Sequence, residues 1–350
     1  MTLSILKVII PPVLTFFIGI AITPIFTKYF YKYKMWKKSP RSESDTVEDF
    51  AHIHNTTSEI STPRIGGIII WMSVLLAVFG VYLLSIIWPT DITTKLSYLS
   101  REQTLIPLAT LIFGALLGLV DDAFQILGKG NYAKDNVAYR KIKILLIALI
   151  GTAIGFWFYN KLGMSSIHVP FWRDIDLGLW FIPFFVVVML ATFSTSVIDG
   201  IDGLAGGVLA SIFGAFAVIA FVHNQIDISA FCGALTGAIL AFLWFNIPPA
   251  RFYMGETGML GLTITLSVIA FLTNSTLILP IIAIPLVATS FSVIVQIISY
   301  KFRNGKRVFR LAPLHHHFQA IGWSREKIVM RYWVISVVFA AVGVVIALVG

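Results

Sequence analysis

Charge is scarce in this sequence. Asp, Glu, Lys and Arg together make up 12% of its 350 residues, about half the share of a soluble domain. That scarcity excludes a chain that turns most of its surface to water. Cysteine is nearly absent as well. A lone Cys232, set in an apolar run, rules out any disulfide within the chain and fits a small packing residue. Heptads, a solenoid period and low-complexity tracts are all missing, which removes coiled coils and repeat arrays. Basic residues do exceed acidic ones, 26 to 17, but this excess is mainly a matter of topology, as its distribution shows, and does not indicate nucleic-acid binding.

What fills the sequence is hydrocarbon. Hydrophobic residues reach 57% and mean hydropathy is +0.87. Hydropathy predicts ten spans, near 4–26, 65–88, 103–120, 142–159, 179–198, 204–222, 228–245, 258–274, 276–300 and 332–350, each long enough to cross a bilayer as a helix. They use up most of the chain, so the fold class expected is all-α: a polytopic integral membrane protein forming one transmembrane domain over residues 1–350. The first apolar run is too long for a signal-peptide core and precedes its basic cluster, so it is expected to stay as a helix. Lys7, Lys95, Arg101, Lys161 and Arg173 fall at one face and the remaining Lys and Arg at the other. The richer face should be cytoplasmic, with both termini outside. The loop at about 28–63 starts basic, turns to Ser, Thr and acids, and is expected to be partly mobile. Gly114/Gly118, Gly151/Gly155 and Gly233/Gly237 have the spacing that allows close helix contact.

The residues capable of chemistry all belong to the cytoplasmic loops. The uncharged run 103–120 ends in Asp121-Asp122. One of the two acids could ligate a divalent cation while the other orients it or handles a proton; taken alone, the pair reads equally well as solvated acids at a helix end. Asp199 and Asp202 stand three apart among Gly200, Gly203, Gly206 and Gly207. They would share a face if the backbone is helical, and the glycines would let backbone amides approach phosphate. Asn246 precedes Met254-Gly-Glu256-Thr-Gly258, where Glu256 sits at the mouth of a span and could reach a metal. His315, His316 and His317 lie near Lys306, Arg307 and Arg310, a setting better suited to phosphate than to a metal cage. Acids, glycine turns, histidines and arginines gathered at one face suit magnesium and a phosphorylated substrate, with a membrane lipid arriving between helices. Such a site acts by positioning phosphates and neutralising charge.

Thr62-Pro-Arg-Ile-Gly-Gly67, Asp121-Asp122, Asp199-Gly-Ile-Asp-Gly-Leu-Ala205, Met254-Gly-Glu-Thr-Gly258, Phe309-Arg-Leu-Ala-Pro-Leu-His-His-His-Phe318, Gly322-Trp323 and Arg331-Tyr-Trp333 occur in that order. In this the chain resembles the phospho-N-acetylmuramoyl-pentapeptide transferase family, within the polyprenyl-phosphate N-acetylhexosamine-1-phosphate transferases. The resemblance covers nearly the whole chain, and its histidine block is the most specific part. It implies Mg2+-dependent transfer of the phosphosugar from UDP-linked N-acetylmuramoyl-pentapeptide to undecaprenyl phosphate, giving lipid I and UMP at the cytoplasmic membrane during peptidoglycan synthesis, and it suggests a homodimer. By motif position it implies catalytic roles for Asp121, Asp122 and Asp202. Glu256 and Asp121 become metal ligands, and Lys143, Asp199, Asn246 and His315 to His317 become substrate contacts.

Four positions depart from the family's pattern. Gln125 stands where a lysine is usual, Glu256 where Asp is usual, and Ser196 and Phe193 where asparagines are usual. They point to an active site shifted in metal or substrate preference. Three other readings stay open: a simpler N-acetylhexosamine donor, a silent homologue that binds lipid phosphate, and an ion-coupled transporter. The last would place its charges near the membrane midplane, whereas here they gather at one face.

Overall fold

The computed structural model describes residues 2–37, 61–100, 103–128 and 137–350. Among these, ten helices are long and apolar enough to cross a membrane, as hydropathy predicts. In chain order the helices are α1 Thr2–Lys32, α2 Ile68–Ile87, the short α3 Asp91–Leu96, α4 Leu105–Leu127, α5 Val137–Lys161, α6 Phe181–Ser194 and α7 Leu204–Val222. They continue with α8 Ile226–Asn246, α9 Gly255–Leu272, the single turn α10 Leu279–Ile282, α11 Ile284–Phe302, the short α12 Leu314–Ala320 and α13 Arg325–Val349. The one departure from an all-helical chain among the described residues is a small antiparallel hairpin. Its strands, β1 Ser166–His168 and β2 Asp174–Asp176, pair Ile167 with Ile175 and lie at the far end of α5 from Lys143.

Several boundaries differ from the hydropathy reading: α4 runs beyond Val120 to Leu127, so Asp121 and Asp122 lie within the helix and not in a loop, and α13 starts at Arg325 and not near 332. The first helix runs on through Lys28 to Lys32, because nothing in the basic stretch breaks it; the rest of the loop expected to be mobile falls mostly outside the described residues. The predicted span 276–300 is interrupted at Ala283, between α10 and α11. Pro280 and Pro285 each lack the amide that a continuous helix would need there.

The bundle is built around α9. Every residue of α9 is buried except Glu256. Two of its polar side chains fold back on their own helix, Thr263 donating to the Met259 carbonyl at 2.8 Å and Ser267 to that of Ile264 at 2.7 Å, the internal pairing that hydrocarbon surroundings favour. Helix α4 lies along α9 through a stripe of Leu108, Leu111, Gly114, Ala115 and Gly118, the three-and-four spacing of one helix face. A Cβ on Gly114 would come within 2.9 Å of the Gly261 Cα, and one on Gly118 would overlap the Glu256 carbonyl. The expected close glycine contact is therefore real, and it places the next turn of α4 against the start of α9. Helix α8 packs between α1 and α7, α13 along α7, and α5 against α6.

Candidate active site

Asp121 and Asp122 extend the buried stripe of α4 by one turn and then diverge. Asp122 is fully buried and caps α9 from outside that helix. Its Oδ1 accepts the Glu256 amide at 3.2 Å, while its Oδ2 accepts the Thr257 amide at 2.8 Å and the Thr257 hydroxyl at 2.7 Å. The first amides of a helix have no partner inside it and carry partial positive charge, so a carboxylate there is doubly favoured. Gly255 makes the approach feasible. Its φ is +65°, and a Cβ there would overlap the Arg64 carbonyl, which leaves the position to glycine.

Asp121 faces the other way. Lys143 Nζ lies 3.0 Å from Asp121 Oδ2 and 3.3 Å from Glu256 Oε1, so one ammonium bridges carboxylates from α4 and α9. The Gln125 amide donates to Asp121 Oδ2 at 3.3 Å, and the Phe193 ring centre lies 5.9 Å from Lys143 Nζ. Of the four departures from the family pattern, Glu256 is thus a member of this ion triad and Gln125 and Phe193 flank it. The second Glu256 oxygen, Oε2, is buried and has no hydrogen-bond partner.

Asp199 and Asp202 do not share a helix face. The backbone leaves its 3-10 turn at Ile198, and Gly203 has a φ of 79°, so the two carboxylates serve different segments. Asp199 accepts the Gly255 amide at 3.0 Å and Asp202 accepts the Ala250 amide at 3.2 Å. Burial pushes the Asp199 carboxyl up to about 6, against the lowering effects of the Arg64 guanidinium and the Gly255 amide; the charges of Glu256 and Asp202 push it further up. Asp202 is raised too, chiefly by burial, with the Ala250 amide and Arg325 opposing.

The histidines of α12 also separate. A Cβ on Gly200 would overlap His315 Nε2 and sit 3.1 Å from His316 Nε2, so both rings lie over the turn between Asp199 and Asp202. His316 Nδ1 is 2.7 Å from the Gln319 Oε1. His317, one residue further around the helix, points instead to its own loop, where its Nδ1 accepts the Arg310 amide at 3.2 Å. Burial and the Arg310 charge hold its pKa below the ordinary histidine value. Asn246 is likewise a holder of backbone: its Oδ1 accepts from the Gly203 amide at 2.9 Å and its Nδ2 donates to the Phe252 carbonyl at 2.8 Å. The structure thus brings Asp121, Lys143 and Glu256 together, sets Asp199 at the start of α9 with His315 and His316 over the adjoining Gly200 turn, ties Asp202 to the Ala250 amide, and gives Asp122, Asn246 and His317 supporting positions.

Some contributors escaped the sequence reading. Arg64, inside the Pro63-Arg-Ile-Gly-Gly67 stretch, acts electrostatically on both Asp122 and Asp199; the motif was visible, but its charge was not read as part of the site. Trp333 donates to the Gly203 carbonyl at 3.1 Å. Gln296 holds the 308–309 backbone through both ends of its amide. A polar residue within a span is the signal that could have found it.

Glycosyl transferase family 4 matches residues 104–274 of the chain, the stretch from α4 to the end of α9 that holds Asp121, Lys143, Asp199, Asp202 and Glu256. Phospho-N-acetylmuramoyl-pentapeptide-transferase of Geobacillus kaustophilus is 36% identical over 344 residues, covering 97% of each chain. The protein of the same name from Geobacillus sp. strain WCH70 is 35% identical over 95% of this chain and 96% of its own. The chain belongs to the phospho-N-acetylmuramoyl-pentapeptide-transferase family. A third relative of that name, from Halalkalibacterium halodurans, is 33% identical over 95% of each chain, so similarity spans all ten membrane helices and not the matched core alone. Within this family of phosphosugar transferases, the chain's triad of Asp121, Lys143 and Glu256 is joined by Gln125 and Phe193.

Proposed function

We propose that the protein transfers phospho-N-acetylmuramoyl-pentapeptide from its UDP carrier to undecaprenyl phosphate at the cytoplasmic face of the membrane, with both termini outside, as one transmembrane domain and as a homodimer. A lipid phosphate oxygen forms a bond to the sugar-bearing phosphorus of the diphosphate. The bridging P–O bond then breaks and UMP leaves with the other phosphate, giving lipid I. The observation that carries this reading is the Lys143 bridge between Asp121 and Glu256 beside the α9 N-terminus. Paired carboxylates able to hold a cation and an ammonium beside them are what a diphosphate under attack requires.

Among the described residues, no three His, Cys, Asp or Glu side chains form a metal cage. Magnesium does not need one, since it is commonly held by one or two carboxylates with phosphate and water completing the shell. Asp121 and Glu256 fit that role, and the buried, unpartnered Glu256 Oε2 is an oxygen in want of a cation. Bound there, Mg2+ would neutralise charge building on the diphosphate. In the chain's own contribution, Asp122 fixes the start of α9, Lys143 attracts phosphate, and His315 and His316 face the Gly200 turn. Asp199 and Asp202 hold the 250–255 backbone in place.

Because Gln125, Phe193 and Glu256 all change the surroundings of Lys143, a simpler UDP-N-acetylhexosamine donor is the second reading. UMP release by purified protein with undecaprenyl phosphate and each donor, with and without Mg2+, separates them. Product from the muramoyl donor supports the first, and product from the simpler donor alone supports the second. No product with any divalent metal sinks both.

A further inference from the structure

Lys143 occupies a place that its role toward substrate does not require. Its ammonium is directed at Asp121 Oδ2, 3.0 Å away, and Glu256 Oε1, 3.3 Å away, the two carboxylates best placed to hold a divalent cation. Its side chain is largely enclosed, with 17% exposure, as is that of Asp121 with 5%, so water and salt screen these charges weakly. A carboxylate pair in such surroundings would repel itself and lose hydration without a cation between its members. Lys143 supplies one.

We infer that Lys143 is the built-in counter-ion of the metal-free site, and that a divalent cation binds by exchange, displacing the Lys143 ammonium from between Asp121 and Glu256. The inference rests on the metal-dependent reading above. Two further features favour exchange over simple addition. Glu256 Oε2 is buried without a hydrogen-bond partner, so the lysine satisfies the pair incompletely and leaves an oxygen for a stronger cation. The displaced ammonium also has somewhere to go. Lysine is a point charge on a flexible stem, and the Phe193 ring, already 5.9 Å from Nζ, can keep its aromatic face toward the ammonium as it leaves the carboxylates. The displaced amine then stands free to meet a phosphate, so metal loading and substrate capture become one event. Lys143 is here a positioning residue whose location reports whether metal is bound.

The inference has an unusual sign. Removing a residue that serves the site should improve metal binding. Calorimetric titration of the full-length protein with MgCl2, without either substrate, is expected to give Lys143→Met a dissociation constant about tenfold or more below that of the wild type, since one close unit charge has been withdrawn. Lys143→Arg, which keeps the charge, should stay near or above the wild-type value. An unchanged or weakened affinity in Lys143→Met overturns the inference and leaves the transfer reaction standing. Absence of Mg2+ binding in every variant overturns both. A second measurement needs no variant: peptide-resolved acetylation of the wild-type protein should label Lys143 faster when Mg2+ is present, and equal or slower labelling overturns the exchange.

Discussion

Asp122 and Thr257 are joined twice: one carboxylate oxygen of Asp122 accepts both the amide and the hydroxyl of Thr257, at 2.8 Å and 2.7 Å. The link ties the last turn of α4 to the first turn of α9 at the point where Glu256 enters the site. Replacing Thr257 with Val keeps the shape and the amide bond and removes only the hydroxyl. The expected cost is about 1–3 kcal/mol for a buried charged acceptor that loses a partner, read as a lower thermal midpoint in detergent. Asp122→Ala strips three bonds from the α9 start and should cost more, with transfer activity lost. Equal midpoints for wild type and Thr257→Val would show that the second bond contributes nothing.

Gly118 tests the same junction sterically. An alanine there would press into the Glu256 carbonyl, and the backbone of α9 has no freedom to retreat because its other faces are packed. Gly118→Ala is expected to destabilise by about 1–3 kcal/mol, the usual range for overpacking, and to lower activity together with stability. Gly80 in α2 has open space around its missing Cβ. Gly80→Ala is the matched control and should leave both properties near wild type.

Glu256→Asp restores the residue usual in the family but withdraws the carboxylate by one methylene. Here Lys143 is placed to meet Glu256 Oε1 at 3.3 Å, and the neighbouring Gln125 and Phe193 do not restore the missing charge. Turnover is expected to fall by up to about 10²-fold, the scale of a misplacement near 1 Å, with substrate KM changing less. A rise in turnover would instead mark Glu256 as a weakness of this chain.

His317 gives a pH dependence of known sign. Its Nδ1 accepts a backbone amide, which demands the neutral ring, and its pKa is lowered from 6.5 by burial and by Arg310. A histidine lowered in the folded state contributes stability that is complete above its unfolded value and is lost as pH falls from there through the folded value. The thermal advantage of the wild type over His317→Phe should therefore be full at neutral pH and shrink on acidification below 6.5. A difference that grows toward acid would overturn the assignment of Nδ1 as acceptor.

The spans were legible because a helix in hydrocarbon must be apolar along its whole length, and the acids were legible because so little charge is present to distract from them. The Gly114/Gly118 spacing foretold a close contact as well, though not its partner; that α4 meets α9 depends on residues more than a hundred positions apart. Spacing misled where backbone geometry intervened. Asp199 and Asp202 were candidates for one helix face, but the glycines between and after them turn the chain out of the helix, and no periodicity argument registers a single residue at positive φ. Three histidines in a row read as one motif, while a helical turn sends the third away from the other two. Asn246, a substrate contact by motif position, also holds two stretches of backbone through its amide, at Gly203 and Phe252.

Two of the three helices that carry the triad have unlike neighbours. Helix α9, which presents Glu256, is enclosed by protein along nearly its whole length, whereas α5, which presents Lys143, shows Ile142, Ile144, Leu145 and Leu149 to the outside. In a bilayer that outer face touches acyl chains. The ion triad is thus carried partly on a helix enclosed by protein and partly on one that faces lipid, so bilayer thickness and packing become part of its geometry.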